Sequence, residues 1–81
     1  MTPGQSRAAR GILGWSVRDL AERAGVGINT VSRFENNGEA MHSTVGKMQV
    51  AMEAAGVIFI QGGAYHGDGG PGVRLQHGEM V

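Results

Sequence analysis

Helix stops divide the first part of this chain into pieces too short to fold alone, and this punctuation constrains the architecture more than any other feature. Gly14, Gly25, the run Asn36-Asn37-Gly38, and Gly56 each close a stretch of helically spaced apolar residues. Glycine and asparagine most readily adopt the left-handed conformation that ends a helix. Helices of only two or three turns are marginal in water. Each piece must therefore be held by its neighbours through a shared core, and a bundle of short helices is the expected outcome.

The starts are as legible as the stops. Thr2-Pro3-Gly4-Gln5 reads as a capping box with proline at the first helical position. It predicts a first helix from about Pro3 to Leu13, with Ala8, Ala9, Ile12 and Leu13 as its apolar face. Ser16, with Asp19 three positions on, caps a second helix that packs through Val17, Leu20, Ala21 and Ala24, and Trp15 and Leu20 are placed to form a hydrophobic staple. Apolar positions resume at Ile28, Val31 and Phe34, which predicts a third helix over Ile28 to Glu35. Ser43 is the expected cap of a fourth, whose face Val45, Met48, Met52 and Ala55 recurs at three- and four-residue steps.

Past Gly56 the pattern becomes β-rich. Val57 to Ile60 reads as a strand, Gln61 to Gly72 as a glycine-rich loop, and Val73-Arg74-Leu75-Gln76 as a second strand of alternating polarity. The tail His77 to Val81 is expected to fray. The predicted fold class is therefore mainly α, four helices followed by a short two-stranded β element. Residues 1–56 form the expected domain and residues 57–81 a C-terminal extension.

Size and charge narrow the function classes. A chain of 81 residues has room for one domain, which buries only about 60 to 65% of its unfolded surface, and pairing with a second copy is the usual remedy. The absence of cysteine rules out disulfides and thiolate zinc sites and suits a reducing cytoplasm. The longest apolar run, Val57-Ile58-Phe59-Ile60, is far short of the ~20 residues of a membrane span. The chain is accordingly expected to be soluble, cytoplasmic and unprocessed, with no membrane partner. Its formal net charge is zero, but the two halves differ. Residues 1–50 carry Arg7, Arg10, Arg18, Arg23, Arg33 and Lys47 against Asp19, Glu22, Glu35 and Glu39, a balance of +2; the remainder carries Arg74 against Glu53, Asp68 and Glu79, a balance of −2. Only the basic half suits a polyanion.

Within that half, Val17 to Asn36 contains two short helices joined by a tight turn. A small residue, Ala21, sits where the helices cross, Gly25 makes the turn, Val26 and Val31 point inward, and Leu20 and Phe34 close the core. Such a unit is the means by which many proteins set a helix into a DNA major groove. The stretches Trp15-Ser16-Val17-Arg18-Asp19-Leu20-Ala21-Glu22-Arg23-Ala24-Gly25-Val26 and Thr30-Val31-Ser32-Arg33-Phe34-Glu35-Asn36 resemble the lambda-repressor-like, Xre-type helix-turn-helix family over roughly Thr2 to Gly56.

The resemblance implies a sequence-specific, DNA-binding transcriptional regulator that needs no cofactor and no metal. It implies that Ile28, Asn29, Ser32 and Arg33 face base edges in double-stranded DNA. Asparagine pairs with adenine, arginine with guanine, and an aliphatic tip meets the thymine methyl. Thr30 is expected beside a phosphate, and Asn36 and Asn37 to contact phosphates through side-chain and backbone amides. The family places a helix-one arginine against a glutamate ending the third helix, and Arg10 and Glu35 match those positions. That pair is expected to orient the recognition helix beside the backbone phosphates. Two positions depart from the family pattern: Val17 stands where a phosphate-contacting glutamine is usual, and Gly27 where a capping serine is usual. Arg18 or the amides at the start of the second helix are the expected replacement for the missing anchor.

An enzyme is not expected. His42, His66, His77 and Asp68 form no recognisable nucleophile and base pair, and Gly67-Asp68-Gly69-Gly70-Pro71-Gly72 lacks the lysine and hydroxyl residue of a phosphate loop. The competing reading is a protein-interaction module that keeps the fold, such as the antitoxin partner of a toxin or a regulator's antagonist. The strands bear on oligomerisation, because an isolated hairpin is marginal in water and presents open edges. Val57, Ile58, Phe59, Ile60, Val73 and Leu75 are therefore the expected dimerisation surface of a homodimer on a pseudo-palindromic operator; the alternative is that the strands fold back on their own helices, leaving a monomer that dimerises only on DNA.

Overall fold

The computed structural model describes residues 1–62 and 70–76. The elements run α1 (Pro3–Leu13), α2 (Val17–Ala24), α3 (Ile28–Glu35), α4 (His42–Ala54), β1 (Val57–Ile60) and β2 (Gly72–Leu75). The strands pair antiparallel, with Val57 opposite Leu75, Ile58 opposite Arg74, Phe59 opposite Val73 and Ile60 opposite Gly72. The Gln76 N–H extends the ladder to the Gly56 carbonyl at 2.6 Å. The central segment of the glycine-rich loop, with His66 and Asp68, and the tail from His77 lie outside the described residues.

The helix ends obey the local chemistry of their residues. Thr2 accepts from the Gln5 N–H while the Gln5 side chain accepts from the Thr2 N–H, a complete capping box. Ser16 and Asp19 form the same reciprocal pair at the head of α2. Gly14 and Gly25 close α1 and α2 at φ 70° and 71°, where a side chain would clash with its own backbone. The cap of α3 is Gly27, which offers no side-chain acceptor.

The fourth helix departs from expectation. Its cap is Met41, Ser43 lies inside the first turn, and no side-chain hydrogen bond closes the N-terminus. The helix starts before Ser43, since the Met41 carbonyl already accepts the Val45 N–H at 3.0 Å.

Ala9, Leu20, Ala21, Val31, Phe34, Met48, Met52 and Val57 form one core, to which every helix contributes. Leu20, Val31, Met48 and Met52 have no solvent exposure. Trp15 packs on this cluster from the N′ side of α2, as a staple requires. Ala8 and Ala55, expected on apolar faces, are exposed instead. The places on α1 nearest the other elements go to two polar residues, Gln5 and Ser6, which are 6% and 0% exposed.

The hairpin is part of this body. Val57 is 3% exposed, and Phe59, Val73 and Leu75 pack against the same core, with β2 lying along α1 and β1 along α4. The apolar inner face expected to meet a second copy is therefore covered by the chain's own helices. Ile58 and Ile60, which alternate to the other face, are half-buried and stand outside the core cluster.

Candidate nucleic-acid interface

The two faces of α3 are sorted by side-chain chemistry. Val31, Phe34 and Glu35 turn inward at three- and four-residue spacing. The opposite side carries Ile28, Asn29 and Arg33, all exposed, and Ser32, half-buried. These four lie one turn apart in pairs, so they share a face. Ile28 is 39% exposed, an open position for a branched aliphatic residue. Thr30 is half-buried at the flank of the helix, and Arg18 is exposed in the first turn of α2.

Behind that surface, α1 grips the C-terminal end of α3. Glu35 is 3% exposed, and its carboxylate accepts from Arg10 Nη2 at 2.7 Å, from Arg10 Nε at 3.0 and 3.1 Å, and from Ser6 Oγ at 2.5 Å. A planar guanidinium meeting a carboxylate side-on satisfies both oxygens at once. The same guanidinium donates from Nη1 to the Trp15 carbonyl at 3.1 Å, which ties the turn between α1 and α2 into the network. Hydrogen bonding to Glu35 holds the Arg10 pKa above its ordinary value; burial opposes this and the charge of Glu35 adds to it. Arg7 donates to the Glu35 backbone carbonyl, placing a cation where α3 ends and the helix dipole favours one.

Ser6, Arg7 and Gln5 were not singled out from the sequence as parts of this arrangement. A signal was available for one of them: Ser6 and Arg10 are four residues apart on α1 and so share a face. If Arg10 reaches Glu35, Ser6 must approach it too. Gln5 gives no such warning, since its capping role is complete without its second task. Its Nε2 donates to the carbonyls of both Ile60 and Gly72 at 3.0 Å, pinning the two strands to α1.

The segment after α3 corrects one expectation. The Asn36 N–H is taken by Ser32 and Arg33, the Asn37 N–H by Phe34 at 3.0 Å, and the Gly38 N–H by Arg33 at 2.7 Å. Asn37 sits at φ 68°, completing a Schellman motif in which these amides close the helix. The backbone amides expected to meet phosphates are thus committed within the chain. The Asn36 side chain donates to the Ser32 carbonyl at 2.9 Å. The Arg33 guanidinium stays at the surface and donates from Nε to the Glu39 carbonyl at 3.1 Å. Arg23, by contrast, stacks over the Trp15 ring at 4.4 Å, a contribution of about 0.5 to 1 kcal/mol at an exposed site.

Two short helices joined at a tight glycine turn, with the second held from behind and Ile28, Asn29, Ser32 and Arg33 on its outer face, form a helix-turn-helix. The helix-turn-helix family matches residues 7–47, just over half of the chain. The chain belongs to this family, as an Xre-type, lambda-repressor-like DNA-binding domain of transcription regulators. A comparison with curated proteins found no match. Among the described residues, no helix is long and apolar enough to cross a membrane.

Proposed function

We propose that the protein is a sequence-specific transcriptional regulator that inserts α3 into the major groove, two copies reading the halves of a pseudo-palindrome. The observation that carries this is the sorting of α3: Val31 and Phe34 are consumed by the core and Glu35 by α1, which leaves Ile28, Asn29, Ser32 and Arg33 as an outer face. That face combines an aliphatic tip, an amide, a hydroxyl and a guanidinium, the set able to read thymine, adenine and guanine edges. Arg18 and Thr30 flank it as phosphate contacts, with the side chains of Asn36 and Asn37 at the far end. The pair Arg10 and Glu35 orients the helix rather than touching bases.

Homodimerisation gives this reader its spacing, since two recognition helices must lie about 34 Å apart to enter successive major grooves. With the inner hairpin face occupied, the outer positions Ile58 and Ile60 are the part of the expected dimer surface left for a partner.

Selection of bound duplexes from a random pool, read by sequencing, tests the proposal. A pseudo-palindromic consensus is expected. Arg33→Ala should lose about 1 to 3 kcal/mol and relax one base pair per half-site. Arg18→Ala should weaken all sequences alike and reduce the salt slope by about one unit. No duplex affinity, together with tight capture of a protein partner, would point to the antitoxin or antagonist role instead.

A further inference from the structure

We propose that the backbone of Gly38 and Glu39 is a positioning device for the Arg33 guanidinium, fixing it end-on for a guanine; this rests on the reading of Arg33 as a base contact. A surface arginine ordinarily samples many rotamers, and ordering it on the DNA costs affinity and blurs specificity. Here the side chain is already tethered. Its Nε donates to the Glu39 carbonyl at 3.1 Å, which spends the inner donor and leaves Nη1 and Nη2 as a donor pair with no protein acceptor among the described residues. Guanine presents N7 and O6 to the major groove at the spacing such a pair requires.

The tether is built by the end of α3 itself. The Arg33 carbonyl accepts the Gly38 N–H at 2.7 Å, and the left-handed Asn37 turns the chain back so that the carbonyl of Glu39, two residues on, meets the Arg33 side chain. Residues 33 to 39 thus close on themselves twice, once through backbone and once through the guanidinium. Gly38 is required by space and not by dihedral angle. A Cβ there would lie 2.5 Å from Arg33 Cγ and 2.8 Å from the Arg33 carbonyl oxygen. The second of these is backbone and cannot swing aside. The arginine stem therefore lies across a residue with no side chain, and any larger one would displace either the stem or the turn that carries the Glu39 carbonyl. Arg18, also exposed, has no such tether among the described residues.

Duplex selection with the full chain separates the outcomes. Gly38→Ala is expected to relax the base pair that Arg33→Ala relaxes, several-fold, with preference at other positions and the salt slope retained. The double variant should then match Arg33→Ala alone. Full preference in Gly38→Ala at that pair overturns the proposal, as does an equal loss at every position, which is what a merely structural residue would cause. If Arg33→Ala itself leaves all preferences intact, the reading of Arg33 falls and the proposal with it. Should Gly38→Ala not fold, nuclear magnetic resonance of the unsubstituted, DNA-free protein decides. The Arg33 Nε–H should exchange with solvent several-fold more slowly than that of Arg18, and equal exchange overturns the tether.

Discussion

Glu35 shows how a single carboxylate can be both buried and stable. Taking it from water is costly, and the cost is met only because Arg10 engages both oxygens and Ser6 adds a third partner. Removing the charge leaves Arg10 facing a neutral amide in a half-buried site. Glu35→Gln is therefore expected to lower stability by about 3 kcal/mol in urea unfolding, with an unchanged m value. A loss under about 0.5 kcal/mol would place this pair with ordinary exposed ones. Asp19 makes the contrasting case at the surface. The Ser16 backbone N–H holds its carboxyl below the usual range, slight desolvation opposes this, and the Ser16 hydroxyl and the charge of Arg23 add to the lowering. A depressed pKa in the folded state stabilises above the unfolded value and ceases to do so as pH falls through the folded one. The stability gap between the unsubstituted protein and Asp19→Asn should accordingly close as pH drops below ~4. A gap constant from neutral to acid pH would mean that Asp19 contributes no charge-dependent capping.

The elements differ in what holds them. The third helix, α3, is eight residues long and starts at a glycine that caps nothing with a side chain, so its integrity depends on α1 and α2 behind it. A Cβ at Gly27 would meet Thr30 Oγ1 at 3.5 Å, an ordinary contact, and the backbone there is already extended. Gly27→Ser should thus add a cap without strain and raise stability by about 0.5 kcal/mol, seen as a small rise in Tm by calorimetry. A fall in Tm would show that the site has no room. The hairpin hangs on a different device, the two hydrogen bonds from Gln5 to Ile60 and Gly72. Gln5→Ala removes the donor that α1 supplies to both carbonyls and opens the α1 capping box. Its expected cost is about 1 to 3 kcal/mol, with faster amide exchange in β1 and β2 than in α2. Uniform acceleration across the molecule would mean that the hairpin does not loosen on its own.

At the scale of the molecule, α1 ties the hairpin and α3 to one body. Its residues hold the hairpin through Gln5 and α3 through Ser6, Arg7 and Arg10. Because Val57 is in the core, deleting the strands would damage the monomer as well as any dimer, so the test of assembly must be a point substitution on the outer face. The intact chain is expected to sediment as a dimer at micromolar concentration, and Ile58→Lys as a monomer with unchanged helical circular dichroism. A monomer in both cases would eliminate assembly through the strands.

Much of this molecule follows from near-neighbour chemistry. The capping boxes at Thr2 and Ser16, the left-handed stops at Gly14 and Gly25 and the apolar spacing of Val31 and Phe34 act over a single turn, so their outcome can be read from adjacent residues. The helix-turn-helix unit, and with it the family, is legible for the same reason. The second strand lies one position from its expected place, over Gly72–Leu75, because register comes from its partner strand. Ser43 is passed over as a cap because the helix has already begun at the Met41 carbonyl. The second role of Gln5, the grip of Arg7 on the end of α3 and the fit of Arg33 across Gly38 arise from distances between segments that no local pattern encodes. Tertiary structure also turned the hairpin inward: Val57, Phe59, Val73 and Leu75 pack on the core that the helices form, which removes their apolar surface from water within one chain, and no local pattern tells this from burial against a second copy.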